Sequence, residues 1–494
     1  MTGGAEVQAV RGALGLSFAH RYVEAGLRFA LLVVLARLIE PAGFGAFAVA
    51  TAIASLLTLL CRSGPAAWIV RSEAAEPALR TPATLALLAC LTASAALWTA
   101  ADPIASLVGL PRAAPLLSFY ALGLLLLPLD IVFGALLRRR LAFGRLAVIG
   151  IGAVASGGVV AVALAVRGGQ ETALVAGAVT ESAVLSLGYL FAGRGDVLLL
   201  RRTGGSMRDV FVFSGRIGGG NLLADLGRLV APIVIGASLS AAAAGLFDRA
   251  WRVVMIFGDL VMNALRPVVL PSLAAARRAD APLADAYLFK IAALSVLAWP
   301  FFLGLAIAAE PVVMLLLGDE WTAAVPLVRL ACLFGIALPF YETDNAFLIA
   351  TGRERDLLRI QAAAQIVALT GLSLGAQFGV GHALIGLAAG QLVRAVLSSL
   401  VLGQAFGVTV GRQLAAARAS AGVTVLVGAA AFGCVSLGRP NGAVEALLVT
   451  AVAGLAGAAV LVGSVLVFRH PVRSELVRLL RDGAQLRRRA RRGG

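Results

Sequence analysis

Lysine is almost missing from this chain: Lys290 is the single lysine among 42 basic residues. So strong a preference for Arg reads as the compositional bias of a GC-rich genome rather than as function. Charge of either sign is also scarce, at 14% of residues, where a soluble domain carries ~25%. The four cysteines, Cys61, Cys90, Cys332 and Cys434, fall within or beside apolar runs and lack CxxC spacing, which argues against a disulfide framework or a thiolate metal site. The three histidines, His20, His382 and His470, are scattered. No Walker loop, HExxH or nucleophile elbow occurs, so neither ATP-driven transport within this chain, nor enzyme activity, nor a cofactor is expected. No short apolar segment with a small-residue cleavage site is present, and the first helix is expected to be a retained anchor.

What the chain has is hydrophobicity: 60% of its 494 residues are apolar and its mean hydropathy is +0.93. Apolar runs of about 20 residues, the length that crosses a bilayer, predict an all-α polytopic membrane protein with roughly fourteen transmembrane helices. The expected spans are 16–39, 44–62, 82–101, 114–137, 146–166, 171–193, 211–236, 241–265, 288–309, 324–350, 358–379, 383–403, 414–436 and 443–468. The net charge of +16 lies in arginines between these runs, where orientation signals belong, and does not suggest a nucleic-acid partner. Every second connection is Arg-rich. These hold Arg62, Arg71 and Arg80, then Arg138, Arg139, Arg140 and Arg145, then Arg194, Arg201, Arg202 and Arg208. Arg266, Arg277, Arg278 and Lys290 follow, then Arg353, Arg355 and Arg359, then Arg412 and Arg418. The opposite connections hold only Arg112, Arg167 and Arg439, so both termini are expected in the cytoplasm. The basic tail from His470 reads equally as a segment resting on anionic lipid or as a disordered topology-fixing tail.

The stretch from Phe18 to Arg71 is used twice. Two apolar runs meet there at Glu40-Pro41-Ala42-Gly43, a turn that Pro and Gly make a poor helix. Two hundred positions on the pattern recurs, with Arg28 matching Arg228, Gly45 matching Gly245, Phe47 matching Phe247 and Ala50 matching Ala250. The segments 107–130 and 316–344 are also alike, each with two prolines thirteen apart: Pro115 and Pro128, Pro326 and Pro339. An even number of helices per copy returns the chain to its starting side, which predicts two parallel six-helix repeats facing a central cavity. The expected division is an N-terminal lobe at 1–200, a C-terminal lobe at 201–404, two extra helices at 405–469 and the tail at 470–494.

The candidates for work are polar residues inside apolar helices. His20, Glu24 and Arg28 share one face of the first helix, and Asn221, Asp225 and Arg228 share one of the seventh. Asp248, Arg252, Asp259, Asn263 and Arg266 form a stripe on the eighth. Asp130 follows Pro128, Glu342 and Asn345 follow Pro339, and Gln391 and Arg394 lie within the twelfth helix. Each ionised side chain at mid-membrane costs roughly 2.5–3.5 kcal/mol, so these residues must line water or pair with one another. An Arg without an acid in its own turn is the better ligand for phosphate or carboxylate, a description taken to fit Arg249 and Arg394. The cationic candidates are therefore Arg28, Arg228, Arg249, Arg252 and Arg394. The ion-coupling candidates are Glu24, Asp225, Asp259 and Glu342. Pro128 and Pro339 are hinges or merely kinks, and Gly218–Gly220 marks close packing or a flexible point.

LARLIEPAGFGAFAVA followed by IVR, LLGDEWTAAVPLVRL, and ALLRRRLAFGRLAVI resemble the polysaccharide-biosynthesis (oligosaccharide, O-antigen and exopolysaccharide) flippases of the multidrug/oligosaccharidyl-lipid/polysaccharide exporter superfamily. The likeness runs from about Leu14 to Phe468. It implies a bacterial inner-membrane protein that moves an undecaprenyl-diphosphate-linked oligosaccharide between leaflets. It also implies partners among membrane lipids, a polysaccharide polymerase or export machinery, and H⁺ or Na⁺ as coupling ion. A lipid II flippase and a non-transporting scaffold of a glycan-synthesis complex are the alternatives. Multidrug antiporters of the superfamily, with mostly cationic substrates, suit an Arg-lined cavity badly.

Overall fold

The computed structural model describes residues 22–71, 79–195, 206–262, 283–438, 442–467 and 470–473. In lipid, backbone polar groups must be satisfied within the segment, and the apolar runs accordingly fold as helices, with no strand among the described residues. In chain order they are α1 (22–36), α2 (Pro41–Arg71), α3 (Arg80–Thr99), α4 (Ala113–Arg139), α5 (Phe143–Val166), α6 (Glu171–Ala192) and α7 (Met207–Ser238). Then come α8 (Ala241–Phe257), α9 (Leu283–Ile307), a bent α10 (Asp319–Ala331 and Phe334–Ile349), α11 (Glu354–Ala376), α12 (Val380–Phe406), α13 (Val410–Leu437) and α14 (Val444–Val467). Among the described residues, eleven are long and apolar enough to cross a membrane, or twelve if the two arms of α10, bent by 41°, make one span. Large apolar side chains such as Val148, Phe378 and Leu455 are about three-quarters exposed, as lipid-facing positions require. His20, Asn263, Arg266, the loop arginines Arg201, Arg202, Arg277, Arg278 and Arg439, and the tail from 474 lie outside the described residues.

Packing divides the chain into 1–249 with 372–383, and 250–371 with 384–494. Leu116, Leu117, Ala121 and Ile131 centre the first unit, and Tyr287, Ile291, Phe347 and Leu402 centre the second. The division falls beyond the 200/201 boundary read from the repeat because α7 lies along α2. Gly64 backs directly onto Ser214 there, and the Trp68 and Phe213 rings meet edge to face at 5.4 Å. Packing units and repeat copies are thus different divisions of this chain.

The repeat is visible in one crossing. A Cβ on Gly45 would run into the Ala241 carbonyl, and a Cβ on Gly245 into the Pro41 carbonyl. Each position touches its counterpart's partner at the same offset of two hundred, the signature of a local two-fold axis. Both copies also carry a short helix, Ala101–Leu107 or Ala309–Leu316, followed by a glycine with positive φ, Gly109 at 69° and Gly318 at 98°.

Several expectations need correcting. Pro41 does not interrupt the hairpin but opens α2, where its missing N–H is harmless; the break lies at 37–40. Arg62, expected in a connection, lies inside α2, which runs on to Arg71. Lys290 likewise lies inside α9 and is buried, so it is not a loop charge. The expected continuous helix at 324–350 is broken. Pro339 precedes an extended Glu342 and a left-handed Thr343 (φ 66°, ψ −1°) before the helix resumes at Asp344. Pro128 is followed by a π-helical turn, Asp130–Gly134, which absorbs the backbone mismatch without ending α4. Gly218–Gly220 sit within the uninterrupted α7.

Candidate functional site

Arg28 is the best-defined polar centre of the first unit. Adjacent glycines on α5 let two helices approach it closely. A Cβ on Gly157 would stand 2.6 Å from the Gly177 carbonyl of α6, and one on Gly158 would stand 2.6 Å from the Leu31 side chain of α1. That approach brings Glu181, one turn beyond Gly177, to Arg28. The guanidinium grips Glu181 with two bonds, Nη2 to Oε1 at 2.5 Å and Nη1 to Oε2 at 3.3 Å. It also donates to Glu24 Oε1 from Nη2 at 2.9 Å and from Nε at 3.2 Å. Two carboxylates thus share one guanidinium, in a side chain that is 50% exposed. Glu181 was not among the sequence candidates. A lone acid mid-run, with no Arg one turn away, was the signal that could have found it.

The other candidates divide by partner. Asp225 and Arg228, both about half exposed, pair along α7 at 3.4 Å. Arg249 is buried, paired with Asp248, and stacked over the Phe44 ring at 4.3 Å. This corrects the expectation that Arg249 lacks a nearby acid, and makes it a packing residue of the α2–α8 contact. Arg252 is exposed on α8, and Asp259 lies in the π turn Gly258–Met262 that follows it. Asp130 is buried in the π turn of α4 and faces Arg62 Nη1 at 3.3 Å.

In the second unit the bent α10 gathers the charge. Arg394 of α12 lies over the Tyr341 ring at 4.8 Å and donates to Asn345 Oδ1 at 3.5 Å. Glu342 is the extended residue of the break, half-buried. Asp344, beside it, is fully buried and accepts from Lys290 Nζ at 2.6 Å, a pair that sequence reasoning missed. No cluster of three or more metal-ligating side chains occurs among the described residues. What these centres can do is hold protons or small cations against carboxylates and anions against exposed arginines.

Comparison with known proteins gives the family and the fold. Residues 34–326, more than half the chain, match the family described as polysaccharide biosynthesis protein. The chain is 28% identical over 349 residues to the succinoglycan biosynthesis transport protein ExoT of Rhizobium meliloti (strain 1021), covering 69% of each chain. It is 23% identical over 384 residues to the lipopolysaccharide biosynthesis protein WzxC of Escherichia coli (strain K12), covering 76% of this chain and 77% of the relative. Among solved structures, the inward closed conformation of the lipid II flippase MurJ superposes with a TM-score of 0.72 at 10% identity. That match covers 92% of this chain and 98% of MurJ, and shows a shared fold.

Proposed function

The chain belongs to the polysaccharide biosynthesis protein family, and from that premise we propose that it flips a lipid-linked oligosaccharide, carried on undecaprenyl diphosphate, from the cytoplasmic to the periplasmic leaflet of the bacterial inner membrane. The observation that carries this reading is the partly exposed charge inside apolar helices, chiefly Glu24, Arg28, Glu181, Asp225 and Arg228. Facing lipid, such groups cost roughly 2.5–3.5 kcal/mol each, so they call for a hydrated path along which a polar head can move. The named roles of ExoT and WzxC, in succinoglycan and lipopolysaccharide biosynthesis, favour a glycan-bearing lipid over other cargo. The likeness to MurJ supports only the fold, at 10% identity.

The site roles follow from the partners. The guanidinium of Arg28 is already gripped by Glu24 and Glu181, so this centre suits a coupling proton or cation better than a phosphate. To a diphosphate or sugar acids we assign the more accessible of the named arginines, exposed Arg228 and Arg252 and half-buried Arg394. The chain would act by alternating access with two repeat-related lobes, both termini in the cytoplasm and Pro128 and Pro339 shaping the moving helices. Polymerase or export partners would take the product.

The test is translocation in proteoliposomes holding the purified protein. A fluorescent undecaprenyl-diphosphate oligosaccharide should cross, while lipid II offered in parallel should not. Each lost charged hydrogen bond removes roughly 1.5–3 kcal/mol, so Arg228→Ala or Arg252→Ala should weaken binding about tenfold or more, with Arg→Lys intermediate. Faster movement of lipid II would shift the reading to peptidoglycan. No movement of either lipid would leave the scaffold alternative.

A further inference from the structure

Resting on the transport reading above, we propose that Lys290 and Asp344 form a further proton site that couples transport, in addition to the Glu24–Arg28–Glu181 centre: a clamp across the Glu342–Thr343 break of α10, released when Asp344 takes up a proton. Wherever else this chain places a basic side chain it uses Arg, 42 basic residues including one lysine. The exception is buried in α9 and paired with a buried acid, their side chains 8% and 2% exposed. The first unit supplies the contrast. Its own buried acid beyond a proline, Asp130, faces Arg62 with Arg138 nearby, both planar guanidinium groups. A forked guanidinium locks a carboxylate. A compact ammonium on a flexible stem can hold it and let it go.

The geometry places this pair across an interruption of α10. Lys290 Nζ donates to Asp344 Oδ1 at 2.6 Å and to the Glu342 carbonyl at 3.4 Å, so it spans Thr343 from both sides. Thr343 is β-branched and holds φ 66°, a left-handed conformation that such a residue adopts only when its surroundings impose it. The rings of Tyr287 and Phe347 flank the ammonium at 4.8 and 5.8 Å. Arg394 and Ser398 face Asp344 from α12. From α13, Gln413 accepts from the Tyr287 hydroxyl at 3.2 Å and donates to the Ser399 carbonyl at 2.9 Å. From α11 come apolar Leu357 and Ile360. Glu342, on the break itself, is a further charged neighbour.

The step balances simply. A proton from water binds Asp344, forming an O–H bond where the ammonium had donated, and the pair passes from neutral to a net charge of plus one. An ammonium without its anion is unfavourable in this apolar core, where the Tyr287 and Phe347 faces offset only part of the loss and Arg394 adds like charge, so Nζ leaves and releases the Glu342 carbonyl with it. The break at 342–343 then loses the group that held it, and the two short helices it joins, Phe334–Tyr341 and Asp344–Ala350, can change their angle. Loss of the proton restores the clamp.

Hydrogen exchange read by mass spectrometry on the purified full chain in detergent tests this between pH 5 and 9. After correction for intrinsic exchange, the peptide at 339–350 should exchange at least tenfold faster at pH 5 than at pH 8. Asp344→Asn should exchange fast at every pH, and Lys290→Arg should stay protected at every pH. Asp130→Asn should leave the pH dependence of this peptide as it is. Exchange that is independent of pH in the unmodified chain overturns the proposal, as does pH dependence that survives in Lys290→Arg or Asp344→Asn. The first of these readings needs no variant to fold. The measurement also needs no substrate, so flipping by a protein whose break ignores pH removes this proposal alone. A pH-switched break in a protein that moves no lipid-linked oligosaccharide removes the flippase reading instead.

Discussion

Replacing Gly45 or Gly245 by alanine adds one methyl group at the crossing of α2 and α8, and backbone stands in its way on both sides. The added Cβ meets the carbonyl of Ala241 in one case and of Pro41 in the other, and each glycine's counterpart amide lies only 3.0 Å off. A side-chain neighbour could turn aside, but a helix carbonyl cannot, so the helices must separate. Overpacking costs about 1–3 kcal/mol, and a backbone obstacle places these changes near 3 kcal/mol. For a unit of this size that is about 6–12 °C of melting temperature. The assay is thermal unfolding of the purified variants in one detergent. Gly26→Ala and Gly152→Ala, where nothing lies within 4 Å, serve as controls and should gain up to ~1 kcal/mol from helix propensity. Because the contact is two-fold related, the two substitutions should cost alike. The double variant should cost less than their sum, since one separation accommodates both. Melting temperatures at the level of the unmodified chain would refute the close crossing. A large loss at one glycine and none at the other would refute the symmetry.

Two further outcomes follow from the polar contacts. A double-mutant cycle should give Arg28 a coupling of about 1 kcal/mol with Glu181, held through both carboxylate oxygens from another helix, against about 0.3–0.5 kcal/mol with Glu24 one turn away. A stronger coupling to Glu24 would contradict the grip described for α6. Beyond α14, His470 is buried, its Nε2 is 3.0 Å from Ser420 Oγ, and its Nδ1 accepts from the Val472 N–H at 3.3 Å. Burial pushes its pKa below the ordinary 6.5, so the unfolded chain binds a proton that the folded chain refuses. Stability should therefore fall as pH drops through about 6.5, and His470→Asn should flatten that fall in acid unfolding curves. An unchanged acid limb would show that the imidazole is not held neutral.

The structure explains which parts of this reading were available from the chain alone. Gly45 and Gly245 were legible because a contact on a two-fold axis is made by the same position in both copies. The demand for a small residue therefore falls on both at one offset. The proline breaks were legible as positions but not as shapes. Pro128 and Pro339 occupy corresponding places, yet one is followed by a π turn and the other by an extended and a left-handed residue. That difference lies in what packs against each helix, which no local pattern carries.

The charges divide along the same line. Glu24 with Arg28 and Asp225 with Arg228 were found because their partners stand three or four residues away, within reach of any helical reading. Glu181, Asp130 and Asp344 take their partners from other helices: Arg28 from α1, Arg62 from α2 and Lys290 from α9. A search for acid–base pairs one turn apart passes over all three. In a bilayer that search runs in the wrong direction. An ionised group already matched within its own turn can be carried by one helix. An unmatched one demands a second helix at a fixed depth and rotation, and so constrains the tertiary structure far more. The same reasoning applies to composition. Where Arg is the default cation, the single departure from it, Lys290, is the position at which the default was least suitable.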